Sequence, residues 1–284
     1  MFIVAIEGGL GNQMFQYAFA RKLNIVTGEK IYLDISVYDR DKKRKYELDK
    51  YNTCVVKVGR YIGHIVSFLL YFQRHLNLPL GDFCKIEVEK KVLHVQAVHE
   101  PRKYFIGNWQ NEKYFSDIRQ ILMEDFRYLG VLSKSQKCLI AKMQCEDSVA
   151  VHVRRGDYLD KGIKEFYVTM SKEYYDCALN YISKKVRNPM IYFFSDDINW
   201  CKREYAHLEN AVYIDDSISQ TGTMDFEIMR NCKYFIIANS TFSWWASWLA
   251  EYEQKIVIAP KTWFYDGDAC EDVRKALLSN AVLI

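Results

Sequence analysis

The chain opens on an apolar run, Phe2-Ile3-Val4-Ala5-Ile6, then Gly8-Gly9-Leu10-Gly11-Asn12-Gln13, then apolar residues at helical spacing from Met14 to Leu23. That order predicts a strand, a glycine loop and a helix. A second apolar run, Ile31-Tyr32-Leu33, ends in Asp34, and the basic stretch Asp39 to Lys45 reads as a solvated loop. Residues 50 to 100 are the least patterned, with an apolar stretch from Tyr61 to Phe72 and alternation from Ile86 to Val98. Tyr104-Phe105-Ile106 predicts another strand, and Asn111 to Leu129 a helix. From residue 148 the rhythm is regular: apolar runs at 149–153, 190–194, 211–214, 234–238 and 255–259 alternate with helical patterns at 171–186, 197–208, 224–231, 242–252 and 270–278. Short buried strands alternating with helices predict an α/β fold with a parallel sheet. Residues 130 to 146 are polar and helical with no strand, which suits a crossing between two halves, 1–145 and 146–284.

Composition narrows the class. Half of the 284 residues are hydrophobic and 26% are charged, enough for a sizeable core and against global disorder. A net charge of +3 is too small to argue for nucleic acid, although it suits an anionic ligand if the positive charges converge. The 21 Tyr, 16 Phe and 6 Trp serve mainly a core, with some suited to stacking on sugar rings. The 8 Cys contain no C-x-x-C pair and read as free thiols of a reducing compartment. The start lacks the basic and apolar regions of a signal peptide. Tyr61 to Phe72 is about half of the roughly 20 residues a membrane span needs. The expectation is a cytoplasmic protein without a transmembrane segment, with room for peripheral membrane contact.

The chemistry gathers at strand ends. In Val149-Ala-Val-His-Val-Arg-Arg-Gly-Asp-Tyr158 a buried strand runs into His152, Arg154, Arg155 and Asp157. Two adjacent guanidiniums call for an anion, and Arg grips phosphate through two parallel bonds. A salt-bridge network with Asp157 is the plainer alternative. Period-two alternation puts His152 and Arg154 on one face and Arg155 on the other. In Ala238-Asn239-Ser240-Thr241-Phe242 a strand gives way to a helix start, which is either an ordinary cap or a phosphate cradle. The glycine loop alone is a weak sign of close backbone approach, at Gly9 or Gly11. Asp196, Asp197, Asp215 and Asp216 follow strands, half of them as caps. Asp266-Gly-Asp268 reads as a turn rather than a metal motif. Trp244, Trp245 and Trp248 read as core packing, with a sugar-binding module as the rival. Trp109 and Tyr114 divide evenly between a cleft and the core.

The segments GGLGNQMFQYAFAR, GNWQNEKYF, HVRRGDY, FFSDD, MDFEIMRNCKYFIIANSTFSWWASWLA and AP-K-x-W occur in order over nearly the whole chain. Together they resemble glycosyltransferase family 11, the α-1,2-fucosyltransferases. The resemblance implies a GT-B-type fold of two Rossmann-like domains facing across a cleft. It implies inverting transfer of L-fucose from GDP-fucose to a galactose-terminated glycan, at O2 of galactose, without a metal or other cofactor. It places the acceptor on the N-terminal half. It puts Arg154 on the GDP phosphates with Arg155 in support, and His152 and Asp225 near guanine. Asn239, Ser240, Thr241 and Phe242 would lie by the phosphates, with Asn12 and Gln13 closing over the donor. For the base that deprotonates the acceptor, Asp157 and Glu7 both remain open. A transferase using another GDP-sugar, or a non-catalytic sugar binder, are the alternatives.

Overall fold

The computed structural model describes residues 2–54, 56–58, 85–89, 103–156, 168–263 and 277–284. The chain divides into two units, Met1–Gly130 and Val131–Ile284.

In the first unit, strands β1 (Phe2–Ala5), β2 (Ile31–Asp34), β3 (Val56–Val58), β4 (Lys85–Val88) and β5 (Lys103–Ile106) form one sheet in the order β3-β2-β1-β5-β4. Every pairing is parallel. β1 is central, which is why it reads as an unbroken apolar run. Helix α1 (Leu10–Thr27) returns the chain from β1 to β2 and ends at Gly28, whose φ of 68° lets its N–H reach Asn24 O. The helix begins four residues earlier than the apolar spacing suggests, so Asn12 and Gln13 occupy its first turn rather than a loop. The predicted helix over 111–129 is broken. Asn111 caps a 3-10 turn at Glu112–Tyr114, a second follows at Ser116–Ile118, and only α2 (Arg119–Asp125) is α-helical. Phe115, at φ −145° and ψ 3°, falls outside the helical region and interrupts the run, and its ring packs 5.8 Å from Phe15 of α1.

In the second unit, α3 (Lys134–Cys145) leads into β6 (Ser148–Val153), and the sheet continues through α4 (Lys172–Ser183), β7 (Met190–Ser195), α5 (Ile198–Glu204), β8 (Ala211–Ile214), α6 (Gly222–Met229), β9 (Tyr234–Ile236), α7 (Thr241–Leu249), β10 (Val257–Ala259) and β11 (Val282–Leu283). The order is β11-β10-β9-β6-β7-β8, again wholly parallel. α3 starts on a capping box between Ser133 and Gln136. It belongs to this unit because Gln136 Nε2 donates to Ile218 O at 2.9 Å and Ser148 Oγ to Met143 O at 2.7 Å. The boundary therefore lies at 130/131 rather than at 145/146. Val149, Val151 and Val153 pack with Tyr174, Tyr175 and Trp200 on one face of the sheet. On the other face His152 meets Phe242, and Phe242 meets Phe226. Lys255 closes the far end of α7, donating to the carbonyls of Ser247 at 2.7 Å and Ala250 at 2.9 Å.

Both units are thus Rossmann-like α/β layers, the pair of domains that a GT-B-type fold comprises. Among the described residues no helix is long and apolar enough to cross a membrane. The Tyr61–Phe72 stretch and most of the helix expected at 270–278 lie outside the described residues. Strand β11 carries only two residues and gave no legible apolar run.

Candidate functional site

The second sheet reverses its winding at β6: the chain moves from β6 to β7 and β8 on one side, and β9 to β11 lie on the other. Ligands of doubly wound sheets bind outside the carboxyl ends of the strands at such a reversal. Those ends are Val153-Arg154-Arg155 after β6 and Ala238-Asn239-Ser240 after β9. The two segments that carried the anion argument are therefore neighbours.

Each arginine is held by a carboxylate from the end of β7. Arg154 Nη1 lies 2.9 Å from Asp196 Oδ2, and the Asp196 Oδ1 atom accepts the Arg155 main-chain N–H at 2.9 Å. Arg155 Nε is 3.6 Å from Asp197 Oδ2, and its guanidinium lies 4.5 Å from the Trp200 ring. Asp197 also caps α5 through the N–H of Trp200. The expected non-equivalence is visible: Arg155 stacks on an aromatic of the α4–α5 core, while Arg154 lies near enough to His152 to depress its pKa. Gly156 was not singled out from the sequence, yet a Cβ there would lie 2.9 Å from Asp196 Oδ2. A side chain at 156 would push on the carboxylate that positions Arg154. Asp157 lies outside the described residues.

His152 is buried, and its Nδ1 has no hydrogen-bond partner among the described residues. Burial first, and the Arg154 charge second, push its pKa down to about 3, so the imidazole is neutral. Its ring sits 5.5 Å from that of Phe242. Ser240, Thr241 and Phe242 are half-buried at the start of α7, and the Ser240 side chain makes no cap bond there. An uncapped start presents N–H groups and the positive end of the helix dipole to an anion. Asn239 is different: its Nδ2 donates to Val168 O and to Trp263 O, both at 2.8 Å, which ties the strand end to two flanking segments. Asp225, in the first turn of α6, is half-buried. Burial pushes its carboxyl up to about 6, with Asp216 adding to the rise and a bond from Ser219 opposing it. Trp244 and Trp245 are buried, Trp244 donating to Leu277 O at 2.6 Å, as core packing predicts.

In the first unit the corresponding reversal lies between β1 and β5. Gly8 has φ 80°, and a Cβ there would lie 2.8 Å from Asn12 Nδ2, so Gly8, rather than Gly9 or Gly11, is the conformationally required glycine. Gln13 is fully buried. Its Nε2 donates to Gly8 O at 3.1 Å and Lys45 O at 2.8 Å, and its Oε1 accepts from Glu47 N at 2.9 Å. Gln13 thus braces the loop. Gln16, which the sequence did not flag, does the same: Oε1 accepts from Glu7 N at 2.9 Å and Nε2 donates to Gly107 O at 3.2 Å. The end of the basic run is docked by Gln13 rather than simply solvated. Asn12 Oδ1 accepts from Gln110 Nε2 at 3.1 Å, and the Glu7 side chain is exposed. Trp109 and Tyr114 are both buried, so the core alternative holds for them.

No group of three or more His, Cys, Asp or Glu that could hold a metal occurs among the described residues, and Asp266 and Asp268 lie outside them. The six described cysteines are free thiols.

The family model for Glycosyl transferase family 11 matches residues 82–279. An alpha-1,2-colitosyltransferase of Escherichia coli is 32% identical over 273 residues, covering 92% of this chain and 92% of its own. The Escherichia coli O-antigen biosynthesis glycosyltransferase WbnK is 30% identical over 286 residues, covering 91% and 93%. A galactoside 2-alpha-L-fucosyltransferase SEC1 of Bos taurus is 32% identical over 263 residues, covering 88% of this chain and 64% of the bovine protein.

Proposed function

We propose, for a chain that belongs to glycosyl transferase family 11, that it transfers L-fucose from GDP-fucose, with inversion, to O2 of a terminal β-galactoside. The observation that carries this reading is the meeting of Arg154, Arg155 and the uncapped start of α7 at the reversal of the second sheet. Cleaving the sugar–phosphate bond builds an oxocarbenium-like centre and leaves negative charge on GDP. Preorganised donors aimed at that charge lower the barrier. Arg154 takes the leaving phosphate, Arg155 supports it, and the first turn of α7 at Thr241 and Phe242 turns its main-chain N–H groups toward the same oxygens, with the Ser240 hydroxyl beside them while its own N–H donates to Ala238 O at 2.8 Å. Neutral His152 and Asp225 line the guanine side beside Phe242, and the Asp225 carboxylate suits an N–H-rich base edge. Asn239 acts by fixing the start of α7, and Gln13 by fixing the turn that carries Asn12. With two guanidiniums and a helix start supplying positive potential, no metal is needed. The acceptor belongs to the first unit, with Glu7 and Asp157 as the carboxylates for deprotonating its hydroxyl.

The relative named as a colitosyltransferase favours a second reading, in which the donor carries colitose instead of fucose. The experiment is mass-spectrometric product detection across β-galactosides with GDP-fucose, GDP-colitose and GDP-mannose. A fucosylated product sensitive to α-1,2-fucosidase is expected. Transfer from another donor alone would replace the fucose reading, and donor binding without any product would favour a sugar-binding protein.

A further inference from the structure

Trp109 has φ 52°, a conformation that bulky L-residues rarely adopt. Backbone strain of this kind persists only where its surroundings over-determine it, and it gathers at functional turns. The turn lies directly after β5, at the reversal of the first sheet. The Trp109 ring stacks on Phe19 at 3.9 Å and an interplanar angle of 3°. Its carbonyl accepts from Asn111 N at 2.8 Å, and its N–H donates to Glu89 Oε2 at 2.7 Å.

Glu89 follows β4 and is fixed by its own N–H to Ile106 O at 2.9 Å. Its carboxylate is half-buried; burial raises its pKa, and the main-chain N–H groups of Trp109 and Asn108 oppose the rise. The fit is close. A Cβ on Gly107 would lie 2.5 Å from Glu89 Cβ and 2.7 Å from Oε2. The turn so held leaves Asn108 exposed and brings Gln110 Nε2 to Asn12 Oδ1 at 3.1 Å.

We infer that Glu89 is a positioning residue for the acceptor: by holding Trp109 in its strained turn, it sets Asn108 and Gln110 as the amide rim that takes the galactoside hydroxyls, with Asn12 locked beside them. This rests on the proposed transfer to a galactoside by the first unit. The Glu89 carboxylate touches no substrate and acts through the main chain of 108–109. A residue needed only for folding would lower stability and every kinetic parameter together. A residue that aims two amides should change acceptor recognition and leave nucleotide binding alone.

The test uses the full chain as Glu89→Ala, Glu89→Gln, Gln110→Ala and the double variant Glu89→Ala/Gln110→Ala. Steady-state kinetics with GDP-fucose and lactose are read beside calorimetric GDP affinity and amide hydrogen exchange. Misplaced contact groups should raise the acceptor KM of Glu89→Ala about tenfold or more, with GDP affinity unchanged. Glu89→Gln, which keeps one acceptor oxygen, should recover part of that loss. Gln110→Ala should reproduce the KM effect, and the double variant should add little to it. Exchange at 107–110 should quicken about tenfold in Glu89→Ala. Acceptor and donor KM rising together, or a silent Gln110→Ala, would overturn the inference. If the wild-type enzyme transfers nothing to lactose or other galactosides, the proposed acceptor fails separately. Hydrogen exchange then decides: faster exchange at 107–110 upholds the role of Glu89 in the turn, and unchanged exchange removes it.

Discussion

The two units share a topology and use it in opposite ways. Each sheet is parallel and reverses at a central strand, and each central strand ends in a polar segment. In the first unit the amides of Gln13 and Gln16 are engaged with main chain at Gly8, Lys45, Glu47, Glu7 and Gly107. In the second, His152 Nδ1 lies buried with no hydrogen-bond partner among the described residues, and Arg155 Nε has the Asp197 carboxylate only at ion-pair distance, 3.6 Å. Buried polar atoms without a partner are costly unless something else meets them. The first unit's glutamines build a scaffold for a turn, whereas under the proposed function the second unit's His152 and arginines would meet a ligand.

The comparison breaks most sharply at Arg154. Arg154→Ala should fold, bind GDP more weakly, and lose about 10²–10³ in turnover, the usual loss when a transition-state donor is removed. Arg154→Lys should recover little, because it keeps the charge and loses the fork. Arg155→Ala should be milder, its guanidinium resting on Trp200. Steady-state kinetics with calorimetry and circular dichroism check all three. A folded Arg154→Ala enzyme within about fivefold of wild type would leave the anion to α7 alone.

The scaffold residues should show the reverse pattern. Gln16→Ala would leave the Glu7 N–H and the Gly107 carbonyl without their partner, costing about 1–3 kcal/mol of stability. Gly8→Ala should cost about 1–2 kcal/mol through its left-handed backbone. Urea unfolding measures both, and GDP affinity should stay at the wild-type value. Weakened GDP binding at unchanged stability would return these positions to direct ligand contact.

Asp225 gives a smaller, pH-dependent effect. Its folded pKa of about 6 exceeds the carboxyl's ordinary 3.8, so the folded protein binds the extra proton between these values. Its contribution therefore makes stability fall as pH rises from about 4 to 6. If the carboxylate meets guanine as proposed, GDP binding should strengthen over the same range. Asp225→Asn should flatten both curves in melting and calorimetric titrations. A GDP affinity in the wild type that is flat from pH 5 to about 7 would detach Asp225 from the nucleotide. The smallest expected effect is that of EDTA, which should leave turnover unchanged. Loss restored by Mn²⁺ or Mg²⁺ would show that the arginines do not suffice.

Much of this was legible in the sequence, and the gaps have physical causes. The strands of the second unit stood out because strands buried on both faces are unbroken apolar runs. The side-chain alternation at His152, Arg154 and Arg155 followed from the same geometry. The helix expected over 111–129 failed because aromatic residues fill a core equally well from 3-10 turns. The bracing by Gln13 and Gln16 was not legible, because a glutamine that braces a loop and one that meets a ligand look alike in one dimension. Gly156 was invisible for another reason: the need for it arises from Asp196, 40 residues away and just past the end of the neighbouring strand β7.

Helix α7 is finished at one end and open at the other. Lys255 fastens its last carbonyls, while the Ser240 side chain leaves its first turn uncapped. Any fraying should therefore begin at the N-terminal end. Under the proposed function a phosphate there would act as the missing cap and should steady the helical turn of Thr241 to Ser243. Slowed hydrogen exchange on GDP binding should then be greatest at that first turn and fade along the helix before Lys255 is reached.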